Sequence, residues 1–182
     1  MKRLSDWCGD NFSGGRITEL SVYKGDTYKL ELEGGQTFFI NCAIVADYDL
    51  HEGGEMDAEL LEKLQHADKM RKAKKRALYL LGSRMYSYNE LYKKLLPTYG
   101  EEASRAAADA MQEYGYIDDA DYAGKLAEKL IHGKHYGMSK TRWEMQSRGL
   151  DKNLIEDILA EYSLCAALIE VLFKLFANFD AA

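Results

Sequence analysis

Ser87-Tyr88-Asn89-Glu90-Leu91-Tyr92-Lys93-Lys94-Leu95 and, 54 residues further on, Thr141-Arg142-Trp143-Glu144-Met145-Gln146-Ser147-Arg148-Gly149 follow one pattern. A short polar residue is followed three positions later by a glutamate, then an apolar residue, then a basic residue three further along. The first turn of a helix leaves backbone N–H groups without partners. A Ser or Thr hydroxyl with a Glu three residues on satisfies two of them reciprocally. Each copy therefore reads as the start of a short helix. A longer helical pattern precedes each copy and another follows it, so the repeating object is a three-helix module of roughly 50 residues, a period typical of repeat architectures.

Outward from these copies the helical signals continue. Asp57 is a candidate N-cap between the apolar pair Met56 and Leu61, and starts a helix that runs on or breaks before Met70. Met70, Ala73, Ala77, Leu80, Leu81 and Arg84 form one helical stripe. Ser87 caps the next helix, with Tyr86 able to pack on Leu91, and Pro97 and Gly100 mark its end. An Ala-rich helix from Glu101 to Tyr114 closes the first module at Gly115. In the second module Asp118 caps a helix that runs to about Ile131. A loop over 132–137 follows, then a short helix capped by Ser139 or Thr141. Gly149 stops it and Asp151 caps the last helix. Residues 164–182 read as the first helix of a third, incomplete module.

Ahead of the helices, three runs alternate and are rich in β-branched and aromatic residues: Ile17 to Tyr23, Thr27 to Glu33 and Gln36 to Ile40. Lys24-Gly25-Asp26 and Gly34-Gly35 separate them, the latter read as a two-residue hairpin turn. In the middle run Tyr28, Leu30 and Leu32 share one face. A three-stranded meander is too small to be stable alone, so it is expected to pack on a helix, with Ala43 to Tyr48 as the candidate. The expected organisation is a leader over 1–15, a β-rich domain with a linker at His51 to Glu55 over 16–55, a helical entry and first repeat over 56–115, a second repeat over 116–163, and the remnant over 164–182. The fold class is mainly α: tandem three-helix repeats, elongated and curved, behind a small antiparallel meander.

The chain of 182 residues is 47% hydrophobic and 30% charged, ordinary for a globular protein. Cys8, Cys42 and Cys165 are far apart and odd in number, which argues against a disulfide framework and for a reducing, cytoplasmic location. No apolar run reaches the ~20 residues that cross a bilayer. The net charge of −6 is unevenly distributed. Residues 69–99 carry nine Lys or Arg against one Glu, while the flanking regions are acidic. A helix whose charges are only there to be solvated normally mixes both signs, so this block is the expected contact for an anionic surface.

The ordered string Arg76-Ala77-Leu78, Leu81, Arg84, Ser87, Glu90-Leu91, Lys94-Leu95, Gly115-Tyr116-Ile117-Asp118-Asp119, Tyr122-Ala123, Gly137, Glu144-Met145, Arg148-Gly149-Leu150 and Leu154-Ile155 resembles the RecX family of regulatory proteins. The likeness covers about residues 16–163, and the β-rich leader is similar to that of members from Gram-positive bacteria. Family members often have a complete third repeat and a basic balance, and this chain departs from both. The resemblance implies a protein that binds the RecA recombinase filament and modulates, usually inhibits, its ATPase, strand-exchange and coprotease activities. The partner-binding residues expected on that basis are Lys72, Lys75, Arg76, Arg84, Lys93, Lys94, Lys134, Lys140, Arg142 and Arg148. Their target is either single-stranded DNA within the filament or acidic patches on the recombinase. The rival expectation is a helix-turn-helix-like module that binds DNA directly.

No catalytic role is read into the sequence. Capping accounts for Glu90 and Glu144, and no nucleophile or His stands beside them in sequence. His132 and His135 lack further ligands at zinc spacing. Gly133-Lys134 lacks the surroundings of a phosphate-binding loop. No cofactor, metal, small-molecule substrate or membrane partner is expected. Trp143 is read as a core residue.

Overall fold

The alternation in the N-terminal runs does what period-two patterning requires. In the computed structural model, which describes Phe12 and residues 14–163, Leu30 sits at the centre of an antiparallel sheet, opposite Leu20 on one side and Phe38 on the other. The strands are β1 (Gly15–Lys24), β2 (Thr27–Leu32), β3 (Thr37–Asn41) and β4 (Glu55–Met56), in the order β3-β2-β1-β4. Ile17, Leu30, Leu32, Phe38 and Ile40 are buried on the inner face. On the other face Lys29 lies 2.6 Å from Glu31 and 3.5 Å from Glu19.

Two local readings are corrected here. The turn before β3 has three residues, not two. Leu32 N–H donates to the Gln36 carbonyl (2.9 Å) and Gly35 N–H to that of Leu32 (2.8 Å), and only Gly35 of the glycine pair takes a positive φ, 74°. The sheet also has four strands. The stretch read as a linker docks along β1. Ile17 and Gly53 exchange bonds with their neighbours (Ile17 N–H to Gly54 O, Gly53 N–H to Ile17 O, both 2.8 Å), and the Leu20 N–H donates to the Glu52 carboxylate at 3.1 Å. Glycines and acids look like linker in sequence, but here they satisfy the exposed edge of β1.

Helix α1 (Cys42–Asp47) follows β3 directly, capped by Asn41, whose side chain accepts from the Ala43 N–H and donates to the Asp26 carbonyl. α2 (Ala58–Leu81) runs unbroken, its start capped by Asp57, which accepts from the Leu60 N–H at 2.7 Å. Ile44 from α1, with Met56, Leu61 and Leu64, completes the apolar core under the sheet. The sheet is stable because these helices cover its inner face.

The chain divides within α2 into two units, one ending at Lys75 and the other beginning at Arg76. The second unit continues with α3 (Tyr88–Glu113), α4 (Asp119–Glu128), a π-helical turn (Lys129–Gly133), α5 (Met138–Ser147) and α6, described over 152–163. α3 is two helical segments. Pro97 lies within it, and Gly100, with φ 73°, breaks the helical backbone. Its second half buries Ala103, Ala107, Ala108 and Ala110 around Met111, small residues that permit close packing. The leader expected over 1–15 falls almost wholly outside the described residues. The remnant helix over 164–182 lies entirely outside them.

Two helix ends are built alike. After α3, Gly115 N–H donates to Gln112 O and Tyr116 N–H to Met111 O. After α5, Gly149 N–H donates to Gln146 O and Leu150 N–H to Met145 O. Both are Schellman ends, with glycine in the left-handed region (φ 75° and 77°). The helix starts are less alike. Ser87 caps α3, accepting from the Glu90 N–H at 3.1 Å, and Asp118 caps α4 by accepting from Ala120 and Asp121. α5, however, begins at Met138 after Gly137, with no side-chain cap. Neither Ser139 nor Thr141 caps it, and Thr141 is buried one turn inside. α5 starts three residues ahead of Thr141, which places that hydroxyl inside the helix. The apolar positions still correspond, since Leu91 and Met145 are both fully buried.

Candidate partner-binding cleft

The first Ser-x-x-Glu copy builds the junction on which the cleft rests. Ser87 Oγ, fully buried, accepts from Glu90 N–H and donates to the Arg148 carbonyl at 2.5 Å. Asn89 Nδ2 donates to the Gly149 carbonyl at 2.9 Å, and Tyr88 N–H donates to the Asp119 carboxylate at 2.9 Å. The start of α3 is thereby tied to the end of α5 and the start of α4. Burial raises the Asp119 pKa, with the Asp118 charge adding to the rise and the Tyr88 N–H opposing it.

Tyr88 itself donates through its hydroxyl to Asp109 at 2.6 Å. Burial, then this bond and the Asp109 charge, push its pKa from 10.0 up to about 12. The folded chain therefore keeps a proton that the unfolded chain releases. The stability it contributes is present below about pH 10 and falls away as pH rises toward about 12. An alkaline absorbance titration should show one phenol ionising well after the ordinary tyrosines, and Tyr88→Phe should abolish that late step.

Beside this junction lies an open cleft of about 260 Å³, lined by Arg84, Met85, Tyr122, Lys125, Leu126, Lys129, Leu130, Lys134 and Arg148. Five of these side chains are cationic and none is acidic. Arg84 is held by Glu90 in a two-pronged ion pair (3.0 and 2.8 Å), donates to the Met85 carbonyl, and lies 3.7 Å from the centre of the Tyr86 ring. The Glu90 contact raises its pKa further, so it is cationic at every accessible pH. Lys125 pairs with Asp121 at 2.7 Å, and Arg148 approaches Glu144 at 3.7 Å and donates to the Tyr122 hydroxyl at 3.3 Å. Lys129 and Lys134 have no carboxylate partner among the described residues; Lys134 instead lies 5.5 Å from the Tyr136 ring.

The π-helical turn puts those two lysines together. Lys134 N–H donates to the Lys129 carbonyl at 3.0 Å, and Tyr136 N–H to that of Leu130 at 2.9 Å. This wider turn brings residues five apart onto one side, where an α-helix would separate them. His135 closes the turn with a positive φ of 56°, unusual for a side chain other than glycine. The His132 ring lies tilted by 50° against that of Tyr162, with ring centres 5.7 Å apart.

Of the ten residues expected to bind a partner, the structure brings Arg84, Lys134 and Arg148 into this cleft. Lys125 and Lys129 join them from outside the expected set: the i,i+5 relation of Lys129 to Lys134 has no place in a helical-wheel reading, and Lys125 lies one ordinary helical turn before Lys129. The others do not line it. Lys72, like Arg71, pairs with Asp68, a carboxylate just outside the basic block. Arg142 is bound to Glu156 by two bonds of 2.6 and 2.9 Å. Lys140 lies over Tyr136 at 3.7 Å, and Lys75, Arg76, Lys93 and Lys94 are exposed. Trp143 is 65% exposed, contrary to the core reading: the α5 positions that face inward are Thr141 and Met145. Among the described residues no group of three His, Cys, Asp or Glu is placed to hold a metal, and no helix is long and apolar enough to cross a membrane.

A small N-terminal antiparallel sheet followed by helices, one group of which carries a cationic cleft, defines a mainly helical protein. No protein-family profile matches the chain. Its sequence is similar to those of the RecX regulatory proteins. The Regulatory protein RecX of Clostridium botulinum strain Alaska E43 is 28% identical over 148 residues, 80% of this chain and 69% of that one. That of Leuconostoc citreum is 28% identical over 166 residues, 87% of this chain and 62% of that one. Roughly a third of each relative's length therefore has no counterpart in the matched stretch. A crystal structure of regulatory protein RecX, 23% identical, has the same fold with a TM-score of 0.67 over 90% of this chain and 84% of that one. The crystal structure of RecX from Lactobacillus salivarius superposes at 0.50 over 53% of this chain and 63% of that one.

Proposed function

We propose that this chain is a non-enzymatic, cytoplasmic regulator that binds the RecA recombinase filament and lowers its ATPase, recombination and coprotease activities. The observation that carries the reading is the cleft: five cations and no lining carboxylate, in a chain whose net charge is −6. Similarity to proteins named Regulatory protein RecX supports the choice of partner. The reading includes two successive three-helix repeats, over 56–115 and 116–163. A helix-borne surface that touches more than one protomer of a filament binds the assembled form better than the free subunit, because weak contacts on one body add through effective concentration. Cationic groups speed the encounter and make it salt-sensitive.

The test is ATP turnover by recombinase polymerised on single-stranded DNA. Turnover should fall at substoichiometric amounts of this protein, and reversing the cleft residues Lys129 and Lys134 to Glu should weaken the effect. Unchanged turnover across the titration removes the proposal. Tight, salt-sensitive binding of labelled DNA in the absence of recombinase would instead support the direct DNA-binding alternative.

A further inference from the structure

The floor of the cleft differs from its rim. Its apolar lining is the exposed Met85 with the edges of the buried Leu126 and Leu130, while Arg84, Lys125, Lys129, Lys134 and Arg148 supply the charge. A site for nucleic acid of this kind would be expected to offer an aromatic face on which a base stacks. The aromatic candidates here are committed elsewhere. Tyr122 is buried with its hydroxyl accepting from Arg148, and the Tyr86 ring is covered by the Arg84 guanidinium. At about 260 Å³ the space also falls below the roughly 300–1,000 Å³ of sites that enclose a small-molecule cofactor. It has room for a side chain.

We infer that the cleft takes an acidic peptide segment of a partner protein, seating one aliphatic side chain on Met85, Leu126 and Leu130 while flanking carboxylates meet Lys129 and Lys134. Those two lysines are the natural contacts, because Arg84, Lys125 and Arg148 already have carboxylates of their own. Methionine suits the floor, since its unbranched thioether adapts to differing aliphatic shapes. The π-helical turn is the device that makes the site, holding Lys129, Leu130 and Lys134 on one side of the chain. This deepens the reading of a protein partner and rests on it only for whose segment is bound.

The probe is a fluorescein-labelled twelve-residue peptide of Asp and Glu with one central Leu, titrated with the full chain and read by anisotropy. Controls are the same peptide with Ser in place of Leu, and a labelled oligo-dT of equal charge. Lys129→Glu with Lys134→Glu should weaken peptide binding about tenfold or more, with Lys129→Ala and Lys134→Ala intermediate. The Ser peptide and oligo-dT should bind several-fold less tightly. Circular dichroism melting of each variant confirms that it folds, and both lysines lie on the surface. Equal binding of Leu and Ser peptides, indifference to both lysine variants, no peptide binding, or oligo-dT binding as tightly as the peptide would each overturn the inference. The recombinase assay separates the two proposals. Peptide binding without any change in turnover sinks the recombinase reading alone, and lowered turnover without peptide binding sinks the cleft assignment alone.

Discussion

Gly149→Ala should destabilise the helical unit by about 2–4 kcal/mol, lowering its melting midpoint by roughly 5–15 °C. Two penalties act together. Gly149 ends α5 with φ 77°, a conformation costly for any residue with a Cβ. A Cβ there would also lie 2.9 Å from Asn89 Cβ, 3.3 Å from the Glu90 amide nitrogen and 3.4 Å from Ser87 Oγ. The first two are a backbone-near carbon and backbone itself, so neither can swing aside without moving the start of α3. Gly115→Ala is the internal control. It ends α3 in the same way, with φ 75°, but nothing lies within 4 Å of its added Cβ. It should therefore cost only about 1–2 kcal/mol, the backbone penalty alone. Equal losses for the two variants, measured by thermal and urea unfolding, would show that the junction does not close as described.

Ser87→Ala should cost about 2–4 kcal/mol, more than an ordinary helix cap. The hydroxyl accepts from the Glu90 N–H and donates to the Arg148 carbonyl from a fully buried position. Its removal leaves the Glu90 N–H and the Arg148 carbonyl, both partly buried, without this partner. Ser87→Thr keeps the hydroxyl and should recover part of the loss. Because Ser87 Oγ is among the atoms that a Gly149 Cβ would crowd, the double variant Ser87→Ala with Gly149→Ala should lose less than the sum of the two. Strict additivity in that cycle would separate the sites energetically and contradict their contact.

The legible parts of the fold were those set by near neighbours. Alternation over Thr27–Leu32 announced which face is buried. Ser87, Asp118 and Asp57 announced helix starts, and Gly115 and Gly149 announced helix ends, because each satisfies backbone groups within a few residues of itself. The fourth strand was not legible, since Glu55 and Met56 become a strand only through pairing with β1 some 40 residues earlier. Thr141 failed as a cap for a related reason: a Ser/Thr with Glu three residues on also fits inside a helix, and the start of α5 is set upstream at Gly137.

The candidate site was legible only in part. A charge run found Arg84, yet the carboxylates that pair with the basic block, Asp68 at its edge and Glu90 within it, temper what a run of like charge suggests. Lys129 escaped because the π-helical turn carries no compositional mark of its own.

Sequence by itself determined where helices begin and end, which strand faces are apolar, and that positive charge is concentrated in one stretch, all properties of a residue and its immediate neighbours. Tertiary structure alone decided that Arg84, Lys125, Lys129, Lys134 and Arg148 share one cleft. These residues come from separate elements, held beside one another by the bonds from Ser87 and Asn89 to the end of α5, by the apolar packing of Tyr122, Leu126, Leu130, Met145 and Leu150, and by a hydrogen bond spanning five residues.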